Sequence, residues 1–116
     1  MRQRKFIITK DYSGKDVRII LGYPIYHKDL LPNDKNIVCC GGGKWYIDIN
    51  DKTIHLYGHS DDFGQPDKND VENAIKSFKD DDWFKFSWIC EGLYDDEIDN
   101  EDWDNMKDNY KFVIDY

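Results

Sequence analysis

Histidine is the side chain best suited to proton transfer near neutral pH, and this chain of 116 residues has three, at 27, 55 and 59. His55 and His59 are four apart in Thr53-Ile54-His55-Leu56-Tyr57-Gly58-His59. On an extended segment that spacing is about 13 Å, too far for one ion. A zinc pair at i and i+4 needs a helix, which Gly58 and the β-branched Thr53 and Ile54 oppose. Asp61, Asp62, Asp67 and Asp70 miss the spacing of a calcium loop. The spacings therefore predict no metal site, and neither glycine-rich nucleotide fingerprint occurs, so nucleotide-loop readings lack their signature. Cys39 and Cys40 are adjacent and Cys90 stands alone, with no C-x-x-C. That usage suits three free, mostly buried thiols in a reducing compartment. His27 lies in Tyr26-His27-Lys28-Asp29 and is chemically able to act as a base, although a packed or surface residue is the plainer reading of a lone histidine.

The elements that must position these groups are mostly strands. Lys5 to Lys10 and Asp16 to Leu21 are β-rich runs joined by Asp11-Tyr12-Ser13-Gly14-Lys15, a hairpin signal. Ile25 to Leu31 predicts a short helix or turn, stopped by Pro32-Asn33-Asp34. Ile37 to Cys40 and Lys44 to Ile49 are strand-like, interrupted by Gly41-Gly42-Gly43, which implies a bulge or a close backbone approach. Thr53 to Gly58 is a further strand. Val71, Ala74, Ile75 and Phe78 repeat at i, i+3, i+4 and i+7, predicting an amphipathic helix with Asp67 or Asn69 as N-cap. Trp83 to Cys90 sets Phe84, Phe86, Trp88 and Cys90 against Lys85 and Ser87, the period of a half-buried strand. Runs of strands with two helical segments predict a single-domain α+β fold, a mixed sheet of about six strands with two helices packed on it.

Composition bounds the class. The length is that of one domain on a prior of roughly 100–200 residues per domain. The longest apolar runs are three or four residues, such as Phe6-Ile7-Ile8, so no membrane span is expected. The basic start Met1-Arg2-Gln3-Arg4-Lys5 is not followed by the apolar region of a secretory signal, which predicts a cytoplasmic protein. The net charge of −8 is unevenly placed: residues 1–93 hold 15 acids and 14 bases, whereas residues 94–116 hold nine acids and two bases. The body, 1–93, is therefore nearly neutral, followed by an acidic C-terminal extension over 94–116. Such runs are usually solvated surface or interaction segments, yet Trp103, Tyr110, Phe112, Val113 and Ile114 suggest that part of this one docks or adds a strand. No basic cluster forms a face, so no nucleic-acid partner is expected.

Three stretches in order carry a resemblance: Gly22-Tyr23 with Tyr26-His27-Lys28-Asp29, then Cys40-Gly41-Gly42-Gly43-Lys44, then Lys52-Thr53-Ile54-His55-Leu56-Tyr57-Gly58-His59-Ser60 with Phe63-Gly64 behind. Their order and spacing resemble the phosphohistidine phosphatase family, also called the janus or ocnus family, over roughly Lys5 to Trp88. The resemblance implies a small mixed sheet with two helices, no metal or cofactor, and hydrolysis of phosphate from protein histidine. The implied partner is a phosphorylated protein or peptide, met by a monomer.

Carried across residue by residue, the resemblance makes His27 the general base that takes a proton from water. It assigns phosphate binding to backbone N–H groups of His59, Ser60, Asp61, Asp62 and Phe63, with Ser60 and Asp62 as principal donors. It places Lys5 where a lysine attracts the phosphate, and Lys44 where the family has an arginine, keeping the charge without a bidentate fork. Some positions depart from the pattern. The segment between His27 and Gly41 is short, His59 replaces a tyrosine, and a second site histidine has no counterpart, Lys68 lying near its position. Asp61 and Asp62 bring two carboxylates into the phosphate loop, where their charge opposes an anion unless screened. A second reading from another class is a non-catalytic binding module of the same fold, engaging a basic partner through the acidic extension.

Overall fold

A β-rich run, a turn and a second β-rich run become the first hairpin of the sheet. Strands β1 (Lys5–Asp11) and β2 (Val17–Gly22) pair antiparallel, from Lys5 opposite Gly22 to Lys10 opposite Val17. The Asp11 carboxylate shapes the turn by accepting from Ser13 Oγ at 2.7 Å and from the Lys15 and Asp16 N–H groups at 3.1 Å. The computed structural model describes residues 2–78, 85–88, 100–106 and 113–114. Within them lie β3 (Ile37–Asp48), β4 (Thr53–Tyr57), helix α1 (Lys68–Ser77), β5 (Lys85–Trp88), helix α2 (Glu101–Met106) and β6 (Val113–Ile114). The short helix or turn expected within Ile25 to Leu31 is a 3-10 turn, His27–Leu30. The sheet order is β5-β4-β3-β1-β2-β6. Its interior pairs are antiparallel and its two outer pairs, β4 with β5 and β2 with β6, are parallel, giving a mixed sheet in an α+β fold. No helix among the described residues is long and apolar enough to cross a membrane.

The glycine triplet does not divide a strand in two. β3 runs through it for 12 residues, and the register shifts where Ile8 faces Gly41 but Thr9 faces Cys39, leaving Cys40 as the extra residue of a bulge. Glycines keep the ladder's N–H and C=O groups while erasing the side-chain alternation by which a strand is recognised. Cys39 and Cys40 are free thiols but half-buried, short of the burial expected. Trp83, Phe84 and Cys90, placed by the pattern in the last strand, lie outside the described residues, as do Tyr110 and Phe112.

The sheet has two unlike faces. One carries Phe6, Ile8, Ile19, Leu21, Trp45, Ile47, Ile54 and Leu56, and these pack with Val71 and Ala74 of α1 and Trp103 of α2 into the core. Asp67 is the N-cap of α1, its carboxylate accepting from the Asn69 N–H at 3.4 Å, and Lys10 ties β1 to the helix through Asp70 at 2.8 Å. The alternate residues Lys5, Ile7, Lys44, Tyr46, His55 and Tyr57 point from the opposite face.

Parts of the acidic stretch belong to the folded body. Trp103 is 1% exposed and stands edge-on to Trp45, ring centroids 4.9 Å apart. β3 extends past the start of β1, which would leave an open edge, and side chains of this stretch fill it. Asn100 accepts from the Ile47 N–H at 3.1 Å and donates to its carbonyl at 2.6 Å, and Asp102 accepts from the Ile49 N–H at 3.3 Å. Val113 and Ile114 pair with Leu21 and Gly22.

Candidate functional site

On the face away from α1 and α2, an open cleft of about 560 Å³ lies over the start of β1 and the adjoining part of β3. The register sets Lys5 directly opposite Lys44, so two ammonium groups emerge side by side at the cleft. Like charges directly opposite on a sheet are destabilising, and an anion between them removes the penalty. Burial, and then the charge of Lys44, pull the Lys5 ammonium below the usual lysine range. Lys5 Nζ also donates to the Ile25 carbonyl, which ties the cleft floor to the segment before the 3-10 turn.

That turn delivers His27. Asp29 accepts from the Tyr26 N–H at 3.0 Å while its own N–H donates to the Tyr26 carbonyl at 3.0 Å, a reciprocal pair that fixes the turn's start. His27 is 6% exposed, and its Nε2 lies 2.8 Å from the Gly43 carbonyl. A carbonyl only accepts, so Nε2 carries the hydrogen and the basic nitrogen of the neutral ring is Nδ1. Burial pushes the imidazole below its ordinary value and the Lys5 charge pushes the same way, against the Gly43 hydrogen bond and the more distant Asp62 and Asp61. The ring is neutral at pH 7, the protonation state a general base requires.

The glycines make room for this arrangement. A Cβ on Gly42 would fall 2.4 Å from the Phe6 carbonyl oxygen and 3.1 Å from His27 Cδ2, and one on Gly43 would fall 2.3 Å from the Tyr57 carbonyl oxygen. Gly42→Ala is therefore expected to cost about 1–3 kcal/mol of stability, the usual range for overpacking, because the nearest obstacle is backbone. Urea denaturation checks this, and an unchanged midpoint would show that the contact is not limiting.

The loop after β4 closes the other side. Gly58 and Gly64 take the left-handed φ values of 72° and 76° that bracket it. The Gly64 carbonyl accepts from the Gly42 N–H at 3.1 Å, which links the loop to the glycine stretch. Ser60 is buried, its Oγ accepts from the Asp62 and Phe63 N–H groups at 3.2 Å each, and its own N–H donates to the Gly64 carbonyl at 3.3 Å. The N–H groups at both principal donor positions are thus engaged within the loop. His59 Nε2 lies 3.6 Å from the Asp61 carboxylate, which is fully exposed.

The fold brings Lys5, His27, Lys44, His59, Asp61 and Asp62 together around the cleft. Ser60 and Phe63 belong to the loop but do not line it. Lys68 sits at the start of α1, 4.0 Å from Glu72, away from the cleft. His55 stacks on Tyr46 at 4.5 Å and does not join His59. Two lining residues were not singled out as site residues from sequence, Gln3 and Tyr26. Gln3 precedes Lys5 by two, the period that keeps a strand's side chains on one face. Tyr26 stood within the histidine motif, and its ring has Lys28 Nζ 5.2 Å and Lys5 Nζ 6.0 Å from its centroid. Among the described residues, no three His, Cys, Asp or Glu side chains are grouped so as to hold a metal ion. A neutral imidazole beside paired ammonium groups can hold an anion and accept a proton next to it.

The Janus/Ocnus family model matches residues 7–83, a stretch that contains His27, the glycine triplet, Lys44 and the whole 58–64 loop and begins two residues after Lys5. No curated protein matches the chain.

Proposed function

Because the chain belongs to the Janus/Ocnus family, we propose that it is a phosphatase that hydrolyses phosphohistidine in proteins without a metal ion, His27 serving as general base. The observation that carries the reading is the His27 ring, kept neutral by its burial at the cleft, with Nε2 donating to the Gly43 carbonyl and Nδ1 left as its basic atom. The phosphoryl group binds against the Lys5 and Lys44 ammonium groups. One of its oxygens takes over from Ser60 Oγ as acceptor for the Asp62 and Phe63 N–H groups, so that the loop opens its donors to the anion. Nδ1 accepts a proton from water attacking in line with the P–N bond. That bond breaks as the new P–O bond forms, and the departing ring nitrogen takes up a proton. Imidazole is a good leaving group and phosphoryl transfer needs little covalent assistance, so positioning and charge carry most of the rate.

The base sets the pH dependence. A histidine whose pKa is lowered stays unprotonated to more acid pH than a free one, so kcat/KM is expected to fall on the acid side with a midpoint below pH 6.5, where His27 gains its proton. The check is a pH profile of phosphate release from a histidine peptide treated with phosphoramidate, with spontaneous hydrolysis subtracted. A midpoint above pH 6.5 would contradict the assignment of His27.

A further inference from the structure

The cleft is lopsided in charge. On the strand side stand Lys5 and Lys44, with Lys28 over the Tyr26 ring at the edge. On the loop side stand Asp61 and Asp62, both exposed. Their carboxylates oppose any phosphoryl group bound between the lysines, so they favour binding only of a substrate that brings positive charge of its own. His27 lines the same cleft and its Nδ1 makes no hydrogen bond among the described residues, so the two carboxylates and the proposed base border one space. The Asp61 side chain lines the cleft and is fully exposed, so it is accessible to residues that flank a phosphorylated histidine bound there.

We infer that Asp61 and Asp62 form an acidic rim that selects phosphohistidine flanked by basic residues. The inference rests on the phosphatase reading above and adds its substrate context. The phosphoryl group occupies the lysine wall while a neighbouring lysine or arginine of the same peptide lies against the loop carboxylates. An acidic neighbour meets like charge there and is disfavoured. Because both carboxylates are at the surface, the effect is screened by salt over about 10 Å at 0.1 M ionic strength and weakens as salt is raised.

The test compares three histidine peptides that differ only in having lysine, glutamine or glutamate on both sides of the histidine, each phosphorylated with phosphoramidate. kcat/KM is measured at low salt for the wild type and for the double variant Asp61→Asn, Asp62→Asn. The wild type is expected to favour the lysine peptide over the glutamate peptide by about tenfold or more, and the double variant to bring that ratio close to one. The ratio is read within each protein, so a general change in turnover does not disguise it. Equal turnover of the three peptides by the wild type, or an unaltered ratio in the double variant, would overturn the rim while leaving the phosphatase reading intact. Absence of release from all three would instead take down the phosphatase reading, and the rim with it.

Discussion

His27→Ala is expected to abolish measurable phosphate release from a phosphohistidine peptide, lowering turnover by about 10²–10⁴-fold, the range over which a positioned general base acts. The effect is expected on kcat more than on KM, since the lysines and the loop proposed to hold the phosphoryl group remain. The substitution also removes the donor to the Gly43 carbonyl, which costs about 1–3 kcal/mol if that oxygen is left unsatisfied. Turnover must therefore be read on protein whose denaturation curve shows it folded. His27→Asn provides a second variant, which keeps a polar group in the space but has no basic nitrogen. Both variants are expected to be inactive. An alanine variant that is folded and retains wild-type turnover would remove His27 from the mechanism.

Trp103→Ala is the substitution expected to cost most stability, about 3–5 kcal/mol, the range for emptying a large aromatic site in a core. Trp103 is 1% exposed and packs edge-on against Trp45, with Tyr23 at 5.9 Å between centroids. Denaturation in urea measures the loss, and a change under 1 kcal/mol would mean that α2 is not part of the cooperative unit. The burial also bears on a binding role for the acidic stretch. Deleting residues 94–116 would remove Trp103 together with Asn100 and Asp102, which complete the open edge of β3, so lost binding would be indistinguishable from lost folding. Neutralising the exposed Glu101 and Asp104 changes charge at this stretch while leaving its packing in place.

Elements with a regular side-chain period were legible in the sequence, and elements defined by long-range contacts were not. β1, β2, β4 and α1 follow from alternation or from the 3.6-residue repeat within a residue or two. β3 reads as two strands because Gly41, Gly42 and Gly43 carry no side chains to alternate, although their backbone pairs with β1 throughout. The helical form of α2 is hidden in a run of acids, since what holds it is one tryptophan and two side chains bonded to a strand more than fifty residues away, although Trp103, Val113 and Ile114 marked the stretch as one that docks or adds a strand. The same division runs through the site. His27 has no local signature, and only the order of the surrounding motifs singles it out from a packed histidine. Its tautomer depends on the Gly43 carbonyl, a contact across 16 residues. Ser60 Oγ holding the loop's N–H groups is a property of the folded turn, and the proposed phosphate binding would therefore require displacement of an acceptor in place of entry into an open cradle.

Phosphate release by the folded wild-type protein is the most direct measurement of the central claim. A histidine peptide phosphorylated with phosphoramidate is incubated at pH 7 with a chelator present, and inorganic phosphate is followed against the spontaneous rate. Catalysed release that the chelator does not diminish is the expected result. Release no faster than the spontaneous rate, from protein shown to be folded, would contradict it.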